Sequence, residues 1–332
     1  MDRARILWET ITPSDVQKDA TMARILAISS QVAFGHVGLS AIVPALQGLG
    51  HEVIAVPTVM LSNHYGYETV GGVDIEPSAM ASILAALQSN GWLEGLDALI
   101  TGYMPSVQHV EVVARGLTRL ADEMPDLIYL CDPVFGDDPD GLFVTEEVAA
   151  AIRDQLVPLA DIVTPNRMEL GWLTGQPVTD CASADTACDL LGGDLVVAAT
   201  SIPAGAGQLA NLLSTEDEAC FARTAKRGGV PHGTGDLFSA LLLGHMLNGA
   251  DDREALARAA AGLSTVILAS IGATELKLMD KIDAAVAASP LPLFEVDDDN
   301  DDPEPGTEPN REPEPDPSPD WEPGSGQGPA RT

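Results

Sequence analysis

The sequence predicts an α/β fold, a three-layer αβα sandwich built on a mostly parallel, doubly wound central sheet. Three observations predict it. Short apolar runs recur between residues 22 and 294, each bounded by Gly, Pro or polar residues, as in strands buried on both faces of a parallel sheet. Ala- and Leu-rich stretches of helical character separate them. Strand and helix therefore alternate along most of the chain, which is the signature of a doubly wound sheet.

In chain order, the first run, 25–28, begins just behind Met22 and leads into a helical pattern over 37–49. The run 53–59 follows, and a polar, Gly-containing segment separates it from the helical stretch 77–88. A strand over 98–100 precedes the helix 107–123, and a strand over 127–130 precedes the helix 146–156. The runs 161–163 and 195–199 flank the helix 183–191. Three consecutive helices close the series, over 236–247, 253–270 and 278–288. No internal repeat or interior linker interrupts it, so residues 22–294 read as one domain.

The two ends differ from this body. Residues 1–21 lack the apolar stretch of a secretory signal and read as a disordered or optional extension, with Met22 as a candidate start. Residues 295–332 hold thirteen Asp and Glu, two Arg and nine Pro. Such a composition cannot offset the entropy of ordering, and a disordered acidic tail is expected. Removing those charges from the formal −33 leaves −22 on the rest. An acidic body disfavours nucleic acid, whose phosphates need Lys and Arg, and also anionic membranes. No run approaches the roughly 18 apolar residues of a membrane span. Cys131, Cys181, Cys188 and Cys220 show neither CxxC nor zinc-like spacing, so reduced thiols in a cytoplasmic protein are expected.

Sheets of this kind bind ligands outside the carboxyl ends of their strands. The segments that follow strands are 29–38, 62–72, 101–105, 132–137, 164–169 and 200–207, all on one expected rim. The strongest chemical signal is Gly233-Thr234-Gly235-Asp236, followed by the apolar helix LFSALLLGHML. Two glycines let the backbone turn tightly, and the helix behind them aims unsatisfied N–H groups at the turn. That makes an anion site suited to phosphate. The same four residues also read as an ordinary Asp cap behind a glycine turn.

CDPVFGD places Asp132 and Asp137 on a loop broken by Pro133 and Gly136. Mg²⁺ takes few protein carboxylates beside water and phosphate oxygens, so this pair suits a magnesium-nucleotide site; a turn with two solvated aspartates reads equally from the spacing. TPNRMEL adds Thr164, Asn166 and Glu169, and Asn166 is also placed to cap a following helix. The histidines His36 and His64 are expected to be structural or to line a pocket, because neither has a partner at metal-ligand spacing.

HGTGDLFSALLL resembles the anion-hole and catalytic-base signature of the ribokinase-like kinases. SSQVAFGHVG, SNHYGY, TGYMPS, CDPVFGD, DIVTPNRMEL and TSIPAG resemble the pyridoxal kinase branch in order and spacing, over 22–294. The resemblance implies ATP-dependent phosphorylation of the 5′-hydroxymethyl group of pyridoxal, with pyridoxine and pyridoxamine as further substrates. By position, Asp236 takes the general-base place and Gly233, Thr234 and Gly235 the anion hole. An aspartate at its ordinary pKa of about 4 is expected there. It would orient the hydroxyl and accept its proton as the new bond forms.

The resemblance further assigns Ser30 to the polar edge of the pyridine ring, with Tyr65, Gly66 and Tyr103 around the substrate and Asp236 against its hydroxyl. A serine behind a strand is also a common backbone cap, and Tyr65 departs from the Thr or Gln usual there. ATP is assigned to Asp132, Thr164, Asn166, Glu169, Thr200, Ser201, the segment Arg223, Thr224, Ala225 and Lys226, and the turn residues Thr234 and Gly235. The metal is assigned to Asp132, Asp137, Thr164 and Glu169, as Mg²⁺, with K⁺ expected near Asp137 and Thr164. A homodimer is implied as well. No GxxxxGK[ST] loop is present, so the phosphate site rests on GTGD. Two rivals stand beside this reading. One is a ribokinase-like kinase for hydroxymethylpyrimidine or another small molecule; the other is a non-catalytic vitamin B6-binding protein on the same fold, which predicts a damaged GTGD or acidic pair.

Overall fold

Every strand expected from an apolar run is present, and the sheet they form runs well beyond them. The computed structural model describes residues 22–296; the expectations for 1–21 and for the acidic tail beyond 296 lie outside the described residues. The strands are β1 (Arg24–Val32), β2 (Glu52–Leu61), β3 (Gly72–Asp74), β4 (Ala98–Thr101), β5 (Ile128–Cys131), β6 (Gly136–Asp137) and β7 (Gly141–Leu142). They continue as β8 (Ile162–Val163), β9 (Val196–Pro203), β10 (Gln208–Ser214), β11 (Ala219–Ala225) and β12 (Leu293–Glu295). Ten of them form one sheet in the order β12-β11-β10-β9-β8-β5-β4-β1-β2-β3, and β6 and β7 make a separate small hairpin.

From β9 to β2 the strands β9, β8, β5, β4, β1 and β2 are parallel. The chain leaves β1 for β2 on one side and returns to β4 on the other, so the switch point lies between β1 and β4. Their carboxyl ends carry Ser30 and Tyr103, where ligands of doubly wound sheets sit. The outer strands β10, β11 and β12 are antiparallel additions. Because β11 is antiparallel to β10, and β10 to β9, the end of β11 that carries Arg223–Ala225 faces the same rim as the end of β9.

The helices are α1 (Leu39–Gly48), α2 (Pro77–Ser89), α3 (Val107–Glu123), α4 (Glu146–Ala151), α5 (Arg167–Thr174), α6 (Cys181–Asp189), α7 (Thr234–Leu247), α8 (Asp252–Ser270) and α9 (Leu278–Val286). Alternation along the strands splits them into two layers. Ile25 and Ala27 of β1 are buried with α1, α7, α8 and α9. Leu26 and Ile28 are buried on the opposite face with α2, α3 and α4, and α5 and α6 extend that face. Helix α7 is buried without a break from Asp236 to His245, as a central helix hydrophobic all round must be.

Three differences from the sequence reading have local causes. The helix expected over 146–156 is α-helical only to Ala151, and its last turn widens over Ile152–Leu156. The hairpin β10–β11 lies between the strand read over 195–199 and the glycine turn, where the sequence reading placed no strand, because short apolar runs carry too few periods to declare one. Glu295, the first residue assigned to the tail, instead closes β12, and its carboxylate takes Arg253 at 2.6 Å. No helix among the described residues is long and apolar enough to cross a membrane.

Candidate active site

Gly233 stops the chain in the left-handed region at φ 99°, and α7 starts at the next residue without a side-chain cap. A Cβ at Gly233 would overlap the His36 carbonyl oxygen, so both conformation and space require glycine there. Gly235 differs: a Cβ added to it meets nothing within 4 Å. The uncapped helix start therefore opens onto free space through Gly235, as an anion site needs.

Asp236 is the third residue of α7 and caps nothing, which removes the reading of it as an ordinary cap. Its carboxylate is buried; the Gly38 N–H reaches it, while its Oδ1 has no hydrogen-bond partner among the described residues. Gly38 stands at φ 53°, packed so tightly on Ser30 that any side chain would strike Ser30 Oγ and its carbonyl. The glycine loop behind β1 is thus threaded between the switch point and Asp236. Burial pushes the Asp236 carboxyl up to about 6, against the Gly38 N–H that lowers it. The ordinary value expected from the sequence is corrected here, because sequence does not display desolvation.

Asp132 is buried at the end of β5. Its Oδ2 lies 2.9 Å from the Ser239 hydroxyl, which also lies 3.0 Å from the Gly235 carbonyl and 2.8 Å from Thr164 Oγ1. Ser239, one turn after Gly235 in α7, ties the anion turn to the acidic loop. Its only trace in the sequence is a serine inside an apolar helix. Glu169 is buried on the same side and accepts N–H groups from Phe135 at 2.8 Å, Gly136 at 3.2 Å and Asn166 at 2.9 Å. Asn166 in turn caps α5 through the Glu169 N–H at 3.0 Å, so Asn166 does serve as a cap. Val134, between Asp132 and Phe135, holds a positive φ of 43°, a strained state for a β-branched residue.

Burial lifts Asp132 well above the usual carboxylate range, and the neighbouring Asp236 and Glu169 charges add to it. Burial also takes Glu169 to about 7, although three backbone N–H groups pull the other way. Carboxylates that repel one another in a buried site suit a hard divalent cation. Among the described residues no three His, Cys, Asp or Glu gather into a cage, so the donor set fits an ion completed by water and phosphate oxygens. Asp137 stays outside this buried cluster, exposed in β6 beside His232. Thr164 is committed to Ser239.

Folded Glu169 and Asp236 hold protons up to about 7 and about 6, whereas unfolded carboxyls release them near 4. The folded state binds more protons across that window, so stability falls as pH rises through it. Without divalent metal, the melting temperature should drop between about pH 5 and 7.5. Mg²⁺ should recover part of the drop, and Asp236→Asn should flatten the slope. A melting temperature that does not fall, or a slope unchanged in the variant, would contradict the buried-carboxylate account.

At the switch point two strands pin Tyr103: its N–H meets Ser29 Oγ at 3.2 Å and its carbonyl accepts from Thr58 Oγ1 at 2.8 Å. Burial, then Tyr65 and Asp74, push its phenol up to about 12, so it stays a hydrogen-bond donor. Ser30 sits where the β1–β2 register breaks between Ser29 and Gln31, a bulge that re-aims its side chain. Tyr65 is 60 % exposed in the 62–72 loop, beside Gly66. On the far side of the rim, Thr200 bridges Asn166, and Ser201 takes φ 61° as β9 bends. A cleft next to Thr224 and Ala225 is lined by Arg227 and by Leu263 and Ile267 of α8. Arg223 stacks its guanidinium over the Phe221 and Phe294 rings, and Lys226 pairs its N–H with the Gly207 carbonyl at 2.8 Å. The larger open cleft lined by Asp189, Gly193 and Glu216 holds none of the predicted residues.

The family model described as phosphomethylpyrimidine kinase matches residues 38–278. Pyridoxal kinase PdxY of Corynebacterium diphtheriae is 35% identical over 281 residues, covering 82% of this chain and 98% of that protein. The solved structure of pyridoxal kinase from Entamoeba histolytica superposes with a TM-score of 0.78 at 28% identity, covering 82% of this chain and 99% of that one. Pyridoxal kinase from Leishmania donovani, solved in complex with ADP and pyridoxamine, gives 0.76 at 29% identity, covering 81% and 97%.

Proposed function

Since the chain belongs to the phosphomethylpyrimidine kinase family, and within it to the pyridoxal kinases, we propose that it transfers the γ-phosphoryl group of ATP to the 5′-hydroxymethyl group of pyridoxal. The product is pyridoxal 5′-phosphate, and the enzyme is a vitamin B6 salvage kinase. One observation carries the site assignment: the buried Asp236 Oδ1, without a partner among the described residues, beside an uncapped helix start that opens through Gly235. An acceptor in that place takes the hydroxyl proton as the oxygen–phosphorus bond forms. A carboxyl raised to about 6 is a better-matched base near neutral pH than one at about 4.

The N–H groups of the Gly233–Gly235 turn hold the transferring phosphoryl oxygens, whose positioning and charge dominate this reaction class. Asp132 and Glu169 would hold Mg²⁺, with Asn166 and Thr164 supporting them, and the ion would neutralise phosphate charge. Thr200, Ser201 and the strand end at Arg223–Lys226 are proposed for the nucleotide, with its base in the cleft beside Leu263. Ser30, Tyr103, Tyr65 and Gly66 are proposed around the pyridine ring. Potassium is left out, since Thr164 is engaged and Asp137 is exposed. A homodimer and a cytoplasmic setting belong to the same reading.

The family description names a phosphomethylpyrimidine; its unphosphorylated parent, hydroxymethylpyrimidine, is the other substrate weighed from the sequence and also presents a CH₂OH group on a flat ring. Incubation with ATP, Mg²⁺ and each candidate, followed by chromatographic detection of the phosphorylated product, separates the two. Pyridoxal 5′-phosphate is expected, with pyridoxal at least about tenfold ahead in kcat/KM, a margin worth roughly 1.4 kcal/mol. Reversal of that order would move the assignment to the pyrimidine. A folded protein that gives neither product would be a binding protein.

A further inference from the structure

Glu275 belongs to none of the motifs, yet it joins three loops from its place between α8 and α9. Its Oε2 accepts the His36 N–H at 3.3 Å, from the glycine loop behind β1. Its Oε1 accepts the Tyr67 hydroxyl, from the 62–72 loop behind β2. His64 of the same loop brings Nε2 to 3.6 Å from that oxygen. His64 Nδ1 accepts the Gly66 N–H at 3.1 Å, so the ring proton lies on Nε2 and faces the carboxylate. Gly35 stands at φ 106° with no room for a side chain against Glu275. The Glu275 side chain is only 10% exposed.

The cluster reaches the anion turn from two directions. His36 is the residue whose carbonyl packs on Gly233. His232, the residue before Gly233, packs its ring at a tilt of 51° against His64 with centroids 4.5 Å apart. Its Nε2 lies 3.2 Å from where a Cβ on Gly66 would stand. One carboxylate therefore fixes the loop carrying Tyr65 and Gly66 to the loop that presents Gly38 to Asp236.

We propose that Glu275 is a positioning residue, a buried latch that holds the 62–72 loop against the glycine loop and so shapes the substrate end of the site. The proposal rests on the kinase reading for its substrate but not for its contacts. Glu275→Gln keeps the shape while turning one acceptor oxygen into a donor, set against either the His36 N–H or the Tyr67 and His64 donors. Tyr67→Phe removes one bond from the loop side alone.

Steady-state kinetics on the full chain should show the KM for pyridoxal raised about tenfold in Glu275→Gln, the loss expected for a hydrogen bond to a charged group. Tyr67→Phe should give a smaller rise in the same direction. The KM for ATP should stay within about twofold and kcat within about threefold. Hydrogen exchange of the ligand-free protein should quicken in 62–72 and remain unchanged in 234–247. Unchanged exchange in 62–72 in both variants would overturn the latch, as would parallel rises in both KM values. A wild-type protein that forms no phosphorylated product would remove the kinase reading alone, and exchange would still decide the latch.

Discussion

Asp236→Asn is expected to lower kcat by about 10²–10⁴ while the KM for pyridoxal stays within about threefold, the pattern of a group that acts mainly in the transition state. The substitution keeps the shape and the Gly38 contact but removes the basic oxygen that has no partner among the described residues. It also removes one charge from a site where Asp132 is raised by its carboxylate neighbours. The variant should therefore fold at least as well as the wild type at neutral pH. Rates of ADP formation, with a thermal melt on the same sample, check both halves. Turnover at the wild-type level would end the assignment of Asp236 as base.

Gly233→Ala should be almost as damaging, for a different reason. The new Cβ would overlap a backbone atom, the His36 carbonyl oxygen, at a residue held at φ 99°. Backbone cannot swing aside as a flexible side chain can, so either the anion turn or the glycine loop must move. A shift of about 1 Å in a positioning group costs on the order of 10²-fold in rate, and the melting temperature should fall as well. Gly235→Ala is the control. Its Cβ meets nothing within 4 Å among the described residues, so the fold should be retained while the methyl group intrudes on the space proposed for phosphate. The expected result is an unchanged melt with a raised KM for ATP. If both variants matched the wild type in rate, the glycine turn would have no part in phosphate binding.

Much of this was legible in residue patterns because it is local. The six parallel strands appear as apolar runs, since a strand buried on both faces leaves a contiguous mark. GTGD announced an anion turn because tight turns and helix starts are written in adjacent residues. The pairing of Asn166 with Glu169 was half legible: the cap follows from spacing, but the three N–H groups gathered by Glu169 do not. The hairpin β10–β11 and the closing strand β12 were not visible, because their pairing partners decide them and their own periods are too short.

The sequence by itself determined the six parallel strands, the glycine turn and the place of Asp236 at the start of the helix behind it. Tertiary structure alone decided that Asp236 lies buried with one oxygen unpartnered among the described residues, that Ser239 links the Gly235 carbonyl to Asp132 and Thr164, and that Asp137 stays outside that cluster. It alone brought Glu275 to His36, His64 and Tyr67, more than two hundred residues away in the chain. The division has one physical reason. Turns and strand periods depend on neighbours in the chain, whereas desolvation, charge repulsion and close approach depend on neighbours in space.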